Sequence, residues 1–244
     1  MKPTTPQRIL LINPNTTATV TARLQSHLRP LLPQGTQLHA RTATYGAPYI
    51  GCESSHAVAA CAVLQVWADE PHADAVLIGC FGDPGLFALR EHSEVPVTGL
   101  AEAAFIEAAV HGPFAVVTGG QRWKPMLMRL ALALGYGSSL VHIETMTPTG
   151  AQMLADPVLA REHLSRAVRH AAASGAKSII IGGAGLAGWA LRLQEESPVP
   201  LIDSVEAGLR VLLDGSTPPP LPAASPRPEL VRWFPVMGRS SPAA

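Results

Sequence analysis

One segment of this chain occurs twice. Ala73-Asp-Ala-Val-Leu-Ile-Gly-Cys80-Phe-Gly-Asp-Pro-Gly85 aligns without a gap to Ala176-Lys-Ser-Ile-Ile-Ile-Gly-Gly183-Ala-Gly-Leu-Ala-Gly188. An apolar run and three glycines coincide. A little further on, Val95-Pro-Val97 corresponds to Val199-Pro-Leu201 after a one-residue shift, and Ile9-Leu-Leu-Ile-Asn13 resembles Phe114-Ala-Val-Val-Thr118 in type and place. Any two strand-helix units share an apolar strand followed by glycine. Several such matches in the same order point instead to two copies of one unit. In this register Cys80 corresponds to Gly183: one copy carries a thiol where the other has no side chain.

Around the repeat, short apolar runs alternate with helical patterns. Strands are expected at 8–13, 36–42, 75–79, 95–97, 114–117, 140–143, 178–181 and 201–202. Helices are expected at 17–28, 53–68, from Asp83-Pro84, up to Val110, and at 121–134, 157–173, 186–194 and 205–213. Asn15 or Thr16 is the expected cap of the first. Strict alternation predicts an α/β fold of two pseudo-symmetric lobes, each a mainly parallel sheet with helices on both faces. The first lobe is expected to span residues 1–110 with about 200–213, and the second 111–199. Ligands of such sheets bind beyond the carboxyl ends of the strands, which places the site in the cleft between the lobes. Residues 214–244 are expected to form a Pro-rich tail, extended or mobile, whose apolar stretch Leu230–Val236 either docks on the body or a neighbouring subunit or is incidental.

The 244 residues carry 18 Lys+Arg against 18 Asp+Glu, so no net field favours nucleic acid or an anionic membrane. No apolar run is long enough to span a membrane, and Met1–Gln7 lacks a signal-peptide core; a soluble, cytoplasmic protein is expected. Three cysteines without metal-ligand spacing argue against disulfides or a zinc site. His56, His92, His111 and His142 have no paired spacing and read as surface or packing residues.

Chemistry concentrates at Gly79-Cys80-Phe81-Gly82-Asp83-Pro84-Gly85. A thiol near a helix N-terminus is stabilised as thiolate, and the N–H groups around Gly82 could hold an anionic oxygen. Asp83 opposes this, so its carboxylate is expected to turn into the start of its own helix as a cap. Cysteine at a strand end is also a common core residue, and the local sequence leaves both readings open. Cys61, mid-helix among Ala and Val, is expected in the core, and Cys52 has only a weak claim on the cleft. Asn13 and Asn15, after the first strand, and Thr118-Gly119, in the matching turn, would stand at the cleft as neutral donors and acceptors; a plain cap or turn explains part of each pattern.

Ile12-Asn13-Pro14-Asn15-Thr16-Thr17, Gly79–Leu86, Val97–Ala103 and Pro200-Leu201-Ile202-Asp203 together resemble the hydantoin-racemase branch of the aspartate/glutamate racemase superfamily, over roughly residues 8–213. The resemblance implies a cofactor-independent enzyme, without metal, that moves a proton at the α-carbon of an amino acid or a hydantoin-like derivative. It implies Cys80 as thiolate acid/base, and Asn13, Asn15, Phe81, Gly82, Thr118, Gly119, Gly183 and Ala184 as substrate-holding positions. It also makes a homo-oligomer the expected assembly and a small molecule the expected partner. Typical members use two cysteines, one on each face of the substrate, because inversion through a planar carbanion needs two proton-transfer groups. Where the family usually reads Gly-Cys-Ala-Gly, this chain has Gly182-Gly183-Ala184-Gly185. That departure keeps open a single-cysteine decarboxylase or lyase in the same cleft, of which arylmalonate decarboxylase is a superfamily precedent, and a non-catalytic small-molecule-binding protein.

Overall fold

A computed structural model describes residues 5–70, 72–147 and 150–218; the apolar stretch Leu230–Val236 lies outside them. The described residues form two four-stranded sheets of the same construction. The first contains β1 (Arg8–Asn13), β2 (Gln37–Thr42), β3 (Ala75–Ile78) and β4 (Val97–Gly99) in the order β2-β1-β3-β4. The second contains β5 (Phe114–Gly119), β6 (Leu140–Met146), β7 (Ser178–Gly182) and β8 (Leu201–Asp203) in the order β6-β5-β7-β8. Every pairing is parallel. The two halves of the repeated segment are therefore β3 and β7, central strands buried along their whole length, as their continuous aliphatic runs require.

The helices are α1 (Ala18–Leu28), α2 (Glu53–Asp69), α3 (Leu86–Glu91), α4 (Leu100–Ala109), α5 (Trp123–Ala133), α6 (Gly150–Ala155), α7 (Pro157–Ala172), α8 (Trp189–Leu193) and α9 (Ser204–Asp214). Helix α6 is additional to the sequence expectation, and the helix expected at 186–194 is shorter, beginning at Trp189 after a 3₁₀ turn at Ala184–Leu186. Thr17, rather than Asn15 or Thr16, occupies the cap position of α1, while Asn15 Oδ1 accepts its N–H at 2.9 Å.

The lobe boundary expected near residue 200 falls differently. Strand β8 pairs with β7 and so belongs to the second sheet. Only α9 reaches over: it packs along α4 and touches β3 and β4, while α4 in return touches β7 and β8. Each sheet thus donates its last helix to a shared central layer. The principal core runs through that layer without interruption, from Ile9 and Leu11 through Phe105 to Phe114 and Ile202. Phe105 on α4 meets Phe114 on β5 with ring centroids 5.4 Å apart. Apolar surface from both four-stranded units is buried in one shared core.

Both sheets point the carboxyl ends of their central strands into the same space. The chain ends of β1, β3, β5 and β7 are where Asn13, Gly79-Cys80, Thr118-Gly119 and Gly182-Gly183 emerge. No helix among the described residues is long and apolar enough to cross a membrane.

Candidate active site

A cleft of about 220 Å³ lies at this junction, and Cys80, Phe81, Asn15, Thr118, Gly119, Gly183 and Ala184 all line it. Two sequence-predicted positions do not. Asn13 is fully buried behind the wall. Its Nδ2 donates to Asn15 Oδ1 (3.1 Å), Thr17 O (3.1 Å) and Thr21 Oγ1 (2.9 Å), and its Oδ1 accepts from Asn15 N (3.2 Å). Asn13 therefore fixes the turn that presents Asn15. With Oδ1 of Asn15 engaged, its NH2 is the end left to donate into the cleft. Gly82 lies off the cleft because a tryptophan fills the space beside it: a Cβ there would overlap the Trp123 ring. The converse contact is made by Phe81, whose ring occupies the space a Cβ on Gly182 would take. Each lobe thus seats an aromatic ring on a glycine of the other. The carbonyl of Gly82 is also held by His56 Nε2 at 2.9 Å.

Cys80 is buried, with 8 % of its surface exposed. Burial pushes its thiol pKa well up, and the neighbouring Asp83 adds to the rise. This corrects the expectation of a thiolate stabilised by the next helix. Helix α3 begins only at Leu86, and Gly85 in a left-handed conformation precedes it. Asp83 is a cap, but of a different helix. Its Oδ1 accepts from Ala101 N (2.9 Å) and its Oδ2 from Glu102 N (2.7 Å), the first turn of α4. Asp83 holds the left-handed conformation at φ 50°, which aspartate tolerates better than most residues. Burial raises its carboxyl to about 7, against the N–H groups of Ala101, Glu102 and Gly82 that hold it down.

The second lobe solves the same capping problem locally. Asp203, at the end of β8, accepts from Val205 N (2.9 Å) and Glu206 N (3.3 Å) at the start of α9, and from Gly188 N (2.6 Å) in the turn after β7. In the first lobe the residue matching Asp203 is Gly99, and the Asp83 carboxylate occupies the space that a side chain on Gly99 would need. The capping carboxylate has moved from the strand preceding the helix to the turn behind Cys80.

Across the cleft, Gly183 adopts φ 136° and ψ 140°, a conformation essentially confined to glycine. Its N–H donates to Ser204 Oγ at 3.1 Å. A cysteine placed there would have room, since the nearest atoms to its Cβ belong to Leu186 at 3.9 Å, but the backbone would be strained. The turn has thus settled around glycine. The Thr118 hydroxyl donates to Gly182 O at 2.8 Å, leaving its oxygen as an acceptor.

Several further residues line the cleft. Pro48, Tyr49 and Ile50 form the mouth, tied down by Thr17 Oγ1 donating to Pro48 O (2.7 Å) and Thr16 N to Ala47 O (3.2 Å). Trp123 and, from α1, Val20 and Arg23 complete the wall. Arg23 could have been noticed from its i, i+4 relation to Thr19 and i, i+3 relation to Val20, which put the three on one helix face.

The other cysteines are elsewhere. Cys52 caps α2 and its pKa is lowered, chiefly by the Ser55 hydroxyl, with Sγ 3.3 Å from Oγ. Cys61 is exposed rather than in the core: the buried face of α2 is Ala59, Ala62, Val63 and Val66, and residue 61 falls off that stripe. Iodoacetamide near neutral pH should therefore modify Cys52 and Cys61 before Cys80, followed by peptide mass spectrometry. Asp83→Asn, which removes the charge beside the sulfur, should speed modification of Cys80 several-fold. Preferential labelling of Cys80 in the free protein would contradict this account of its environment.

The profile of the family described as Asp/Glu/Hydantoin racemase matches residues 9–212. This chain belongs to that family. Hydantoin racemase of Paenarthrobacter aurescens is 34 % identical over 209 residues, covering 84 % of this chain and 89 % of the relative, and hydantoin racemase of Pseudomonas sp. (strain NS671) is 33 % identical over 208 residues, covering 83 % of each. Among solved structures, allantoin racemase from Klebsiella pneumoniae superposes with a TM-score of 0.79 at 31 % identity, covering 84 % of this chain and 85 % of that one. Glutamate racemase RacE1 from Bacillus anthracis shares the fold at a TM-score of 0.61 and 15 % identity, covering 89 % and 85 %. Membership in this family makes the chain a racemase-type isomerase acting on a small molecule.

Proposed function

We propose that this racemase acts without a cofactor on five-membered cyclic ureides of the hydantoin class, with Cys80 transferring the proton at C-5. The observation that carries the reading is the position of Cys80 on the wall of the interlobe cleft, facing turns that supply neutral donors and acceptors. The C-5 hydrogen of a hydantoin lies next to a carbonyl, so its loss gives an enolate that a few hydrogen-bond donors can stabilise. The NH2 of Asn15 is one such donor. Hydantoin racemases among the relatives and allantoin racemases among the solved structures support the substrate class.

The raised pKa of Cys80 defines its part in the cycle. The resting thiol is neutral and must lose its proton before it can act as a base. Once formed, a thiolate of high pKa is a strong base, and the thiol it regenerates can return the proton. With Gly183 opposite, the proton on the other face comes from water or from another cleft group. Gly183 also favours a second reading, a single-cysteine decarboxylase or lyase, because such a reaction needs proton transfer on one face only.

Proton NMR in D2O with single enantiomers of 5-substituted hydantoins tests both. Loss of enantiomeric excess with deuterium entering C-5 is expected. Release of CO2 from aryl- or alkylmalonates with no change in any hydantoin would replace the first reading by the second. An unchanged panel of both compound types would remove both.

A further inference from the structure

Among the described residues, Arg23 is the one formally charged side chain on the wall of the cleft that holds Cys80. The rest of the lining is neutral, from the amide of Asn15 and the hydroxyls of Thr17, Thr19 and Thr118 to the apolar surfaces of Val20, Ile50 and Trp123. Among the described residues Arg23 has no carboxylate partner. Its Nε is buried and has no hydrogen-bond partner among the described residues. Its charged neighbour is another cation, Arg192, whose guanidinium lies over the Trp189 ring with Cζ 5.2 Å from the centroid. Burial first, and Arg192 second, lower the pKa of Arg23. An arginine in this position loses hydration without gaining an anion, next to a like charge. Other arginines do have carboxylate partners, as Arg129 has Glu53 and Arg210 has Glu107. An unpaired, half-buried guanidinium in a substrate cleft is compensated when the ligand brings the negative charge.

We infer that Arg23 is a specificity-determining residue that binds a carboxylate carried by the substrate. This rests on the reading of the cleft as a hydantoin-class site. In a hydantoin the amino acid's own α-carboxyl is closed into the ring as a neutral carbonyl, so the anion must sit on the substituent at C-5. The substrate class is then a hydantoin whose 5-substituent ends in a carboxylate, such as those formed from acidic amino acids. Carboxylate suits the planar, two-pronged guanidinium. The apolar surfaces of Val20, Ile50 and Trp123 suit the short carbon chain between ring and charge.

The test compares 5-(2-carboxyethyl)hydantoin with its uncharged isostere, 5-(2-carbamoylethyl)hydantoin, in the full chain and in R23Q and R23K. The wild type should prefer the acid in kcat/KM, chiefly through KM. In R23Q that preference should fall at least ~10-fold, the scale of one charge-assisted hydrogen bond. R23K should recover part of it, because the charge remains while the planar fork is lost. Calorimetric binding of the acid is measured in parallel and does not depend on turnover. Binding that weakens in R23Q without racemisation in any protein would uphold the anion site and remove the hydantoin-racemase reading. Equal binding of acid and amide by the wild type, or an equal loss of both in R23Q, would overturn the inference whatever the turnover.

Discussion

Cys80→Ala is expected to lower kcat at least ~10³-fold while the protein remains folded. A positioned general acid-base group contributes about 10²- to 10⁴-fold, and no other described thiol lies in the cleft to take over, since Cys61 is exposed and Cys52 caps α2. Removing one buried Sγ costs little packing, so loss of activity should come without a comparable fall in melting temperature. Cys80→Ser should be nearly as inactive, because a serine hydroxyl is a far weaker acid than a thiol. Cys52→Ala and Cys61→Ala serve as controls that should retain turnover. Steady-state polarimetry with circular dichroism on the same samples checks all four. Activity within ~10-fold of wild type in folded Cys80→Ala would exclude Cys80 as the proton-transfer group. The raised thiol pKa adds a pH signature: kcat/KM should still be climbing with pH above neutrality, and Asp83→Asn should move that rise to lower pH.

Arg90→Ala or Glu102→Ala should each destabilise the fold by about 3–5 kcal/mol, the cost of stripping a buried charge of its partner. Arg90 on α3 and Glu102 on α4 form a two-pronged pair whose side chains are only 10 % and 3 % exposed. Arg90 Nη1 donates to Glu102 Oε1 at 2.7 Å, Nη2 meets Oε2, and Nη2 and Nε both donate to Val97 O, at 2.7 and 3.1 Å. The Thr98 hydroxyl adds a bond to Glu102 Oε2 at 2.8 Å. A loss of this size is a large part of the roughly 5–15 kcal/mol that holds a domain together. The double variant Arg90→Leu/Glu102→Leu should recover much of it, since two apolar groups leave no uncompensated charge. Urea denaturation of the three variants decides the matter, and single-variant losses under ~1 kcal/mol would mean that the pair contributes little. Because Asp83 caps the helix that carries Glu102, the single variants should also disturb the turn that presents Cys80.

Much of the architecture was legible in the chain. Parallel strands buried on both faces must be continuous aliphatic runs, and the turns after them use glycine; both signals survive in a single sequence and both occur twice. The alternation of strands and helices, the two similar parallel sheets with a cleft between them, and the alignment of Cys80 with Gly183 followed from that repetition. Cys61 was misplaced although the stripe Ala59, Ala62, Val63, Val66 was visible, because a helix rich in small apolar residues has a shallow contrast between its faces.

What the sequence by itself determined was the set of local structures and the positions at which they repeat, since backbone preference and apolar periodicity act over a few residues. What only the tertiary structure decided was which groups meet. Asp83 reads as the cap of the helix that follows it, yet the parallel pairing of β3 with β4 brings the N-terminus of α4 to its carboxylate, eighteen positions on. Gly82 reads as a substrate contact, yet Trp123 of the other lobe occupies its face. Arg23 shares a helix face with Thr19 and Val20, and only the tertiary structure places it on the cleft wall, with no carboxylate partner among the described residues. Burial and charge pairing depend on distances between segments far apart in the chain, and those distances exist only once the two sheets have exchanged helices and packed.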